Sequence, residues 1–179
     1  MLVSGGAKVE DKLGVLRKLG GKADRVLIGG KMAEQLRDEN PLGFEVVLPT
    51  DVVGAAAFEA DAESKVCPYD ELPEGWLGLD IGPETRARFA DELSRARTIF
   101  WNGPMGVFEW PRFAAGTKAV AEAVARADAF SVVGGADSIR ALNELGLTDQ
   151  VSWASTGGGA ALELLEGKQL PGVAVIPAA

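Results

Sequence analysis

The chain has 179 residues, 47% hydrophobic and 25% charged, with a net charge of −8; that composition builds a globular core and excludes a disordered segment. The acidic balance argues against non-specific binding to nucleic acid or an anionic membrane, and no apolar stretch approaches the roughly 20 residues of a membrane span. Cys67 is the one cysteine and histidine is absent, which excludes an intrachain disulfide, a Ser-His-Asp triad, a histidine-activated thiol and a histidine metal site.

In chain order, Met1 to Ser4 runs straight into the turn Gly5-Gly6, with no signal peptide in view. Val9 to Leu19 is amphipathic and reads as a helix. Arg25 to Ile28 is a short apolar run ended by Gly29-Gly30, and Phe44 to Leu48 is another, ended by Pro49-Thr50-Asp51. Residues 60 to 80 are irregular, with Pro68, Pro73, Gly75 and Gly78, and read as loop or short antiparallel structure. Glu84 to Ala96 is helical in pattern. Thr98 to Trp101 is a run of β-formers that Asn102-Gly103-Pro104 stops, because glycine allows unusual φ and proline cannot donate to a ladder. Phe113 to Ala127 is helical, and Phe130 to Val133 is a strand ending at Gly134-Gly135. Ile139 to Leu145 and Ala160 to Leu165 are the last helical stretches, the final one preceded by Gly157-Gly158-Gly159. Alternating strands and helices of these lengths predict an α/β fold: a three-layer, Rossmann-like, doubly wound and mainly parallel sheet with helices on both faces. The glycines cluster at strand ends, which in such a sheet converge on one edge, where backbone N–H groups and helix N-termini suit phosphate.

Three constellations carry chemistry. Lys8 and Lys12 stand four apart near a helix start, where the dipole disfavours lysine; beside Gly5-Gly6 they read either as a pair awaiting phosphate or as two solvated lysines. Asp137, after Gly134-Gly135-Ala136, reads either as a helix cap or as a carboxylate holding Mg²⁺ against nucleotide phosphates, with Ser138 a cap or a phosphate contact. Ser155 and Thr156 are cap candidates, while three successive glycines would leave bare N–H groups for an oxyanion or a transferring phosphoryl group. Neither a Walker A spacing nor G-x-G-x-x-G is present, which weighs against a dinucleotide-dependent oxidoreductase.

Taken together and in order, Gly5-Gly6-Ala7-Lys8-Val9, Gly78-Leu79-Asp80-Ile81-Gly82-Pro83, Trp101 to Glu109, Phe113 to Lys118, Gly134 to Ser138, and Ser155 to Ala160 with Leu162 to Lys168 resemble the phosphoglycerate kinase family across nearly the whole chain. The part matched is the C-terminal, nucleotide-binding half of that two-lobed enzyme. The resemblance implies a single nucleotide-binding domain over 1–179, transferring phosphoryl between 1,3-bisphosphoglycerate and ADP to give 3-phosphoglycerate and ATP, with Mg²⁺. It implies that Lys8 follows the transferring phosphoryl and Lys12 holds nucleotide phosphate. It implies that Asp137 positions Mg²⁺, that Ser138 and the Gly135 turn contact phosphate, and that Glu109 hydrogen-bonds the ribose. Asn102, Gly103 and Pro104 match the loop near phosphates and ribose. Gly6, Gly29, Gly30, Gly78 and Leu79 match the adenine walls. Gly157, Gly158 and Gly159 match the helix N-terminus that stabilises the phosphoryl in flight.

The departures shape the expectation. Nothing resembles the family's N-terminal, phosphoglycerate-binding lobe, and the chain stops at Pro177-Ala178-Ala179 with no final segment to pack on it. Lys31 stands where a third glycine is usual, Met32 to Phe44 is shorter than the family norm, Ala136 replaces a glycine, and Trp153 stands where histidine is common. The expectation is a cytoplasmic lobe or domain fragment. It binds Mg-nucleotide weakly, turns over negligibly alone, contacts neither nucleic acid nor membrane, and self-associates through an exposed lobe interface. The alternative is a non-catalytic α/β scaffold that binds a partner through that interface.

Overall fold

The fold is that of a computed structural model, which describes residues 1–176; the expectation drawn from Pro177-Ala178-Ala179 lies outside the described residues. Strand β1 (Leu2–Ser4) leads into helix α1, built of consecutive 3-10 (Glu10–Lys12), α (Leu13–Val15) and π (Leu16–Gly20) turns. Strand β2 (Val26–Ile28) and helix α2 (Met32–Asp38) follow. Three strands come next, β3 (Asp51–Ala55), β4 (Ser64–Pro68) and β5 (Leu77–Ile81), and then α3 (Pro83–Ser94). The remainder alternates: β6 (Thr98–Asn102), α4 (Ala115–Arg126), β7 (Phe130–Gly134), α5 (Ala136–Glu144), β8 (Trp153–Ser155), α6 (Gly158–Glu166) and α7 (Pro171–Ala174).

Five strands form one parallel sheet in the order β2-β1-β6-β7-β8. Period-two alternation sends Val3, Leu27, Ile99, Trp101 and Val133 to one face, where Phe89 and Leu93 of α3, Val120 and Val124 of α4 and Leu142 of α5 cover them. Leu2, Val26, Ile28 and Phe100 point to the other face, under Val9 and Leu16 near and within α1 and Met32 and Leu36 of α2. The expected three layers, with helices on both faces, are therefore present. The chain order reverses direction between β1 and β6, so the connections that follow these two strands leave toward opposite faces and open a crevice.

The expected strand Phe44 to Leu48 is reduced to one residue. Val47 alone bridges Leu27, its N–H donating to Val26 O at 2.8 Å while its O accepts from Ile28 N at 3.0 Å. Gly43, at φ +81°, turns the chain just before and Pro49 ends it just after, so no ladder can extend. Residues 60–80 do form short antiparallel structure: β4 and β5 pair on either side of β3. β3 escapes a sequence reading because a register shift between Val53 and Gly54 interrupts its alternation. Asp51 at its start caps α3 from a distance, Oδ2 accepting from Glu84 N at 3.0 Å and Oδ1 from Thr85 N at 2.7 Å. That bond set ties the small sheet to the layer beneath the large one.

Candidate functional site

The floor of the crevice between β1 and β6 is drawn together by short backbone ties between the ends of β2, β1 and β6. Gly5 N donates to Asn102 O at 3.1 Å, Gly29 N to Ser4 O at 2.9 Å, and Gly30 N to Met105 O at 2.9 Å. Gly103 adopts φ +96°, and a Cβ there would fall on Gly5 O and 2.7 Å from Lys12 Nζ; only glycine lets the two strand-end loops approach. Gly30, at φ +66°, would likewise drive a Cβ to 2.7 Å from Gly6 O. Trp101, fully buried, anchors the loop from below by donating its indole N–H to Gly103 O at 2.8 Å.

A cleft of about 320 Å³ lies where this edge meets the small sheet. Gly6, Gly30, Lys31, Pro104 and Asp137 line it from the large sheet, and Phe58, Leu77, Gly78 and Leu79 from the other side. Ala7, Glu34, Gly106, Val107 and Glu109 complete it. Bare glycine backbone on one wall and Phe58, Leu77, Leu79 and Val107 on the other make a flat, mostly apolar slot.

Lys12 stands at the β1–β6 switch point, next to the cleft rather than in its lining. Its Nζ donates to Asn102 O at 3.2 Å and to Asn102 Oδ1. Burial pulls its pKa down to about 8, against the charges of Asp137 and Asp11, which favour the ammonium. Asn102 is itself buried, and its Nδ2 has no hydrogen-bond partner among the described residues. The Lys12 ammonium is thus held by Asn102, while the Asn102 amide N–H, which faces the Gly134-Gly135 backbone, has no acceptor among the described residues. A buried unmade hydrogen bond costs about 1–3 kcal/mol, a cost that an acceptor-rich ligand would relieve.

The remaining expected residues distribute unevenly. Helix α1 begins at Glu10, so Lys8 precedes it rather than sharing its face with Lys12; Lys8 is exposed and makes no salt bridge among the described residues. Asp137 is exposed in the first turn of α5, but the cap position belongs to Gly135, and no side chain caps that helix. Ser138 is fully buried, its Oγ accepting from Gly103 N at 2.7 Å, so in this state it braces the loop rather than facing the cleft. Glu109 lies on the cleft wall and pairs with Arg140 at 3.3 Å. Gly29 is buried beneath the cleft beside Met105. Gly157, Gly158 and Gly159 are exposed at the start of α6, away from the cleft lining; Gly157 takes the cap position that Ser155 and Thr156 were expected to hold, and Ser155 Oγ only accepts from Gly157 N at 3.4 Å.

Sequence reading missed four participants. Arg140 stacks over Phe108 at 4.4 Å while holding Glu109, and its spacing three residues beyond Asp137 on α5 was the available signal. Phe58, 61% exposed and stacked on Trp110 at 4.8 Å, was hidden in an alanine-rich stretch. Glu34 lies in the cleft beside Lys31, and burial raises its pKa despite the opposing influence of Lys31 and the Gly78 amide. Asp80, below Leu79, is buried with only Oδ2 satisfied, by Gly116 N at 2.7 Å.

Comparison with known proteins places these features in a family. The phosphoglycerate kinase family model matches residues 1–40 and 34–168, two segments that overlap where the Met32 to Phe44 stretch is short. The phosphoglycerate kinase of Deinococcus radiodurans is 50% identical over 197 residues, covering 97% of this chain and 48% of that protein. The phosphoglycerate kinase of Rhodococcus erythropolis is 50% identical over 201 residues, covering 98% and 50%. Among solved structures, phosphoglycerate kinase from Coxiella burnetii superposes with a TM-score of 0.86 at 37% identity, over 97% of this chain and 51% of that one. Phosphoglycerate kinase from Pyrococcus horikoshii gives 0.81 at 32%, over 97% and 50%. The chain spans about half the length of the curated relatives it matches.

Proposed function

Given that this chain belongs to the phosphoglycerate kinase family, we propose that it is the nucleotide-binding lobe of such an enzyme and binds Mg-ADP or Mg-ATP in the switch-point cleft. The observation that carries the reading is an apolar slot at the strand ends, bordered by the Gly6 and Gly30 backbones and by Lys31 and Asp137, with the Lys12 ammonium at the neighbouring β1–β6 switch point. A purine base and a polyphosphate are the two halves of a ligand that this contrast of walls suits.

In this reading the base enters between Gly78-Leu79 and the Gly6 and Gly30 backbones. Glu109 meets the ribose, held by Arg140. Pro104 and Gly103 border the phosphates, Lys12 exchanges Asn102 for a phosphate oxygen, and Lys8 reaches the terminal phosphoryl from outside. Asp137 is an exposed carboxylate on the cleft rim with no salt bridge among the described residues, unlike Glu109, which Arg140 holds, and no group of three or more metal-ligating side chains is assembled among the described residues. That donor set fits Mg²⁺ carried on phosphates and held by one carboxylate, where it would neutralise phosphate charge. Gly158 and Gly159 would offer N–H groups to the phosphoryl in flight once acceptor and nucleotide are brought together, since positioning and charge neutralisation dominate such transfers. The acceptor, 1,3-bisphosphoglycerate or 3-phosphoglycerate, would be held by the other lobe, so this chain alone would turn over negligibly. A cytoplasmic setting accords with a glycolytic enzyme; no helix among the described residues is long and apolar enough to cross a membrane.

Calorimetry with Mg²⁺ and ADP at millimolar concentration tests the binding: saturable heat is expected, and none would count against it. A coupled assay with phosphoglycerate and ATP should read background; appreciable turnover would refute the requirement for a second lobe.

One observation favours a second reading, an interaction module. Trp153 (63% exposed), Leu164 (53%) and Val173 (51%) leave apolar surface around α6 and α7 without a cover. If that surface were the only function, light scattering would find self-association and calorimetry no nucleotide; a monomer that binds ADP favours the first reading.

A further inference from the structure

The base end of the cleft carries charges that an adenine slot does not need. Lys31 and Glu34 stand three residues apart at the start of α2, on one helical face, and both line the cleft. Glu34 Oε1 lies against the Gly78 wall, 3.2 Å from where a Cβ on Gly78 would stand. The cleft side chains Phe58, Leu77 and Leu79 offer it no hydrogen bond, and the groups that bear on it are Lys31, the Gly78 amide and Tyr69. A carboxylate accepts at both oxygens, so contact with Gly78 leaves acceptor capacity facing the slot.

We propose that Lys31 and Glu34 read the edge of the nucleobase and make this cleft select guanine nucleotides over adenine nucleotides. The inference rests on the nucleotide reading above. Guanine presents O6 as an acceptor, then N1–H and N2–H₂ as donors. Lys31 matches the acceptor, and the Glu34 carboxylate matches both donors in a bidentate, charge-assisted pair. Adenine presents N6–H₂ to Lys31, donor against donor, and the bare lone pair of N1 to the carboxylate. A site built for two donors that meets a lone pair leaves its half-buried carboxylate unpaired, which is how such sites reject analogues. A good bidentate base contact discriminates by about tenfold to a hundredfold.

The test is calorimetry or competition with Mg-GDP, Mg-ADP and Mg-IDP on the intact chain and on Glu34→Gln and Glu34→Ala. The wild-type chain should bind GDP at least tenfold more tightly than ADP, with IDP, which lacks the N2 amine, between them. Glu34→Gln should reverse the order, because an amide offers N–H to adenine N1 and O to N6–H₂. Glu34→Ala should bring the two within about threefold. A purely electrostatic role, repelling phosphate, would shift GDP and ADP equally and leave their ratio unchanged, and that outcome overturns the proposal. Equal or tighter binding of ADP by the wild-type chain overturns it while sparing the nucleotide reading. Failure of all three nucleotides to bind removes both.

Discussion

Replacing Lys12 with methionine is expected to weaken Mg-ADP binding roughly 10- to 150-fold while making the free protein slightly more stable. The affinity loss follows from one charge-assisted hydrogen bond to phosphate, worth about 1.5–3 kcal/mol. The gain in stability follows from what Lys12 endures without ligand. Its ammonium is pulled out of water and its pKa falls to about 8, a cost on the order of 3 kcal/mol at neutral pH. Methionine fills similar space but leaves Asn102 Oδ1 without its donor, which returns about 1–3 kcal/mol of that cost. The net is about 1 kcal/mol, or roughly 2–4 °C in Tm for a chain of this size. The sign with pH is fixed: a lysine whose folded pKa lies below its unfolded value destabilises where both states are charged. The stability it withholds is fully present above about pH 10.5 and lost as pH falls to about 8, so the advantage of Lys12→Met should shrink over that window on the alkaline side. Thermal melts from pH 7 to 10, with calorimetry at pH 7, check both halves. A variant that loses stability without losing affinity would place Lys12 among structural residues.

Asp80→Asn should produce the largest change in how stability depends on pH. Asp80 lies between Leu79 on the cleft wall and the start of α4, where Gly106 and Gly116 leave no room for a side chain because its carboxyl is there. Burial raises its pKa to about 7, and the amides of Gly116 and Ile81 only partly oppose that shift. Here the folded value lies above the unfolded 3.8. The stability from binding its proton is complete below about pH 4 and is lost as pH rises through about 7. Between those limits the slope is about 1.4 kcal/mol per pH unit. Asparagine keeps an acceptor for Gly116 N–H and has no proton to lose. The stability of the variant relative to wild type should therefore grow by about 2.5 kcal/mol from pH 5 to pH 7, measured by denaturant unfolding. A difference constant across that range would show that Asp80 is ionised throughout. The consequence reaches the cleft, because Val107 N donates to Leu79 O at 2.8 Å across this same junction.

How much of this was legible in the sequence depended on whether a feature was local. Thr98 to Trp101 announced itself as a strand because β-formers run unbroken to Asn102-Gly103-Pro104, and the helices from Pro83, Ala115 and Ala136 carried their own periodicity. The motif order was enough to bring out the family. Long-range partnerships were not legible. Ser138 at the mouth of a glycine turn looks like a phosphate ligand until Gly103 N–H, 35 residues away, is found occupying its hydroxyl. Glu109 gave no hint of Arg140, and nothing local says that Lys12 reaches Asn102. The strand expected at Phe44 to Leu48 failed for a different reason: its composition suits a strand, but the turn at Gly43 and the end at Pro49 leave room for one bridging residue. Asp80 and Glu34 read as surface acids by type, and only burial reveals them.

The central claim is that nucleotide occupies the crevice between β1 and β6. Amide chemical-shift mapping with millimolar Mg-ADP and Mg-GDP tests it most directly. The largest shifts are expected at Gly6, Gly30, Gly103 and Gly135, which surround that crevice, with β4 unmoved. Shifts confined elsewhere, as in the separate groove between Arg25 and Arg88, or no shifts with either nucleotide, would contradict it.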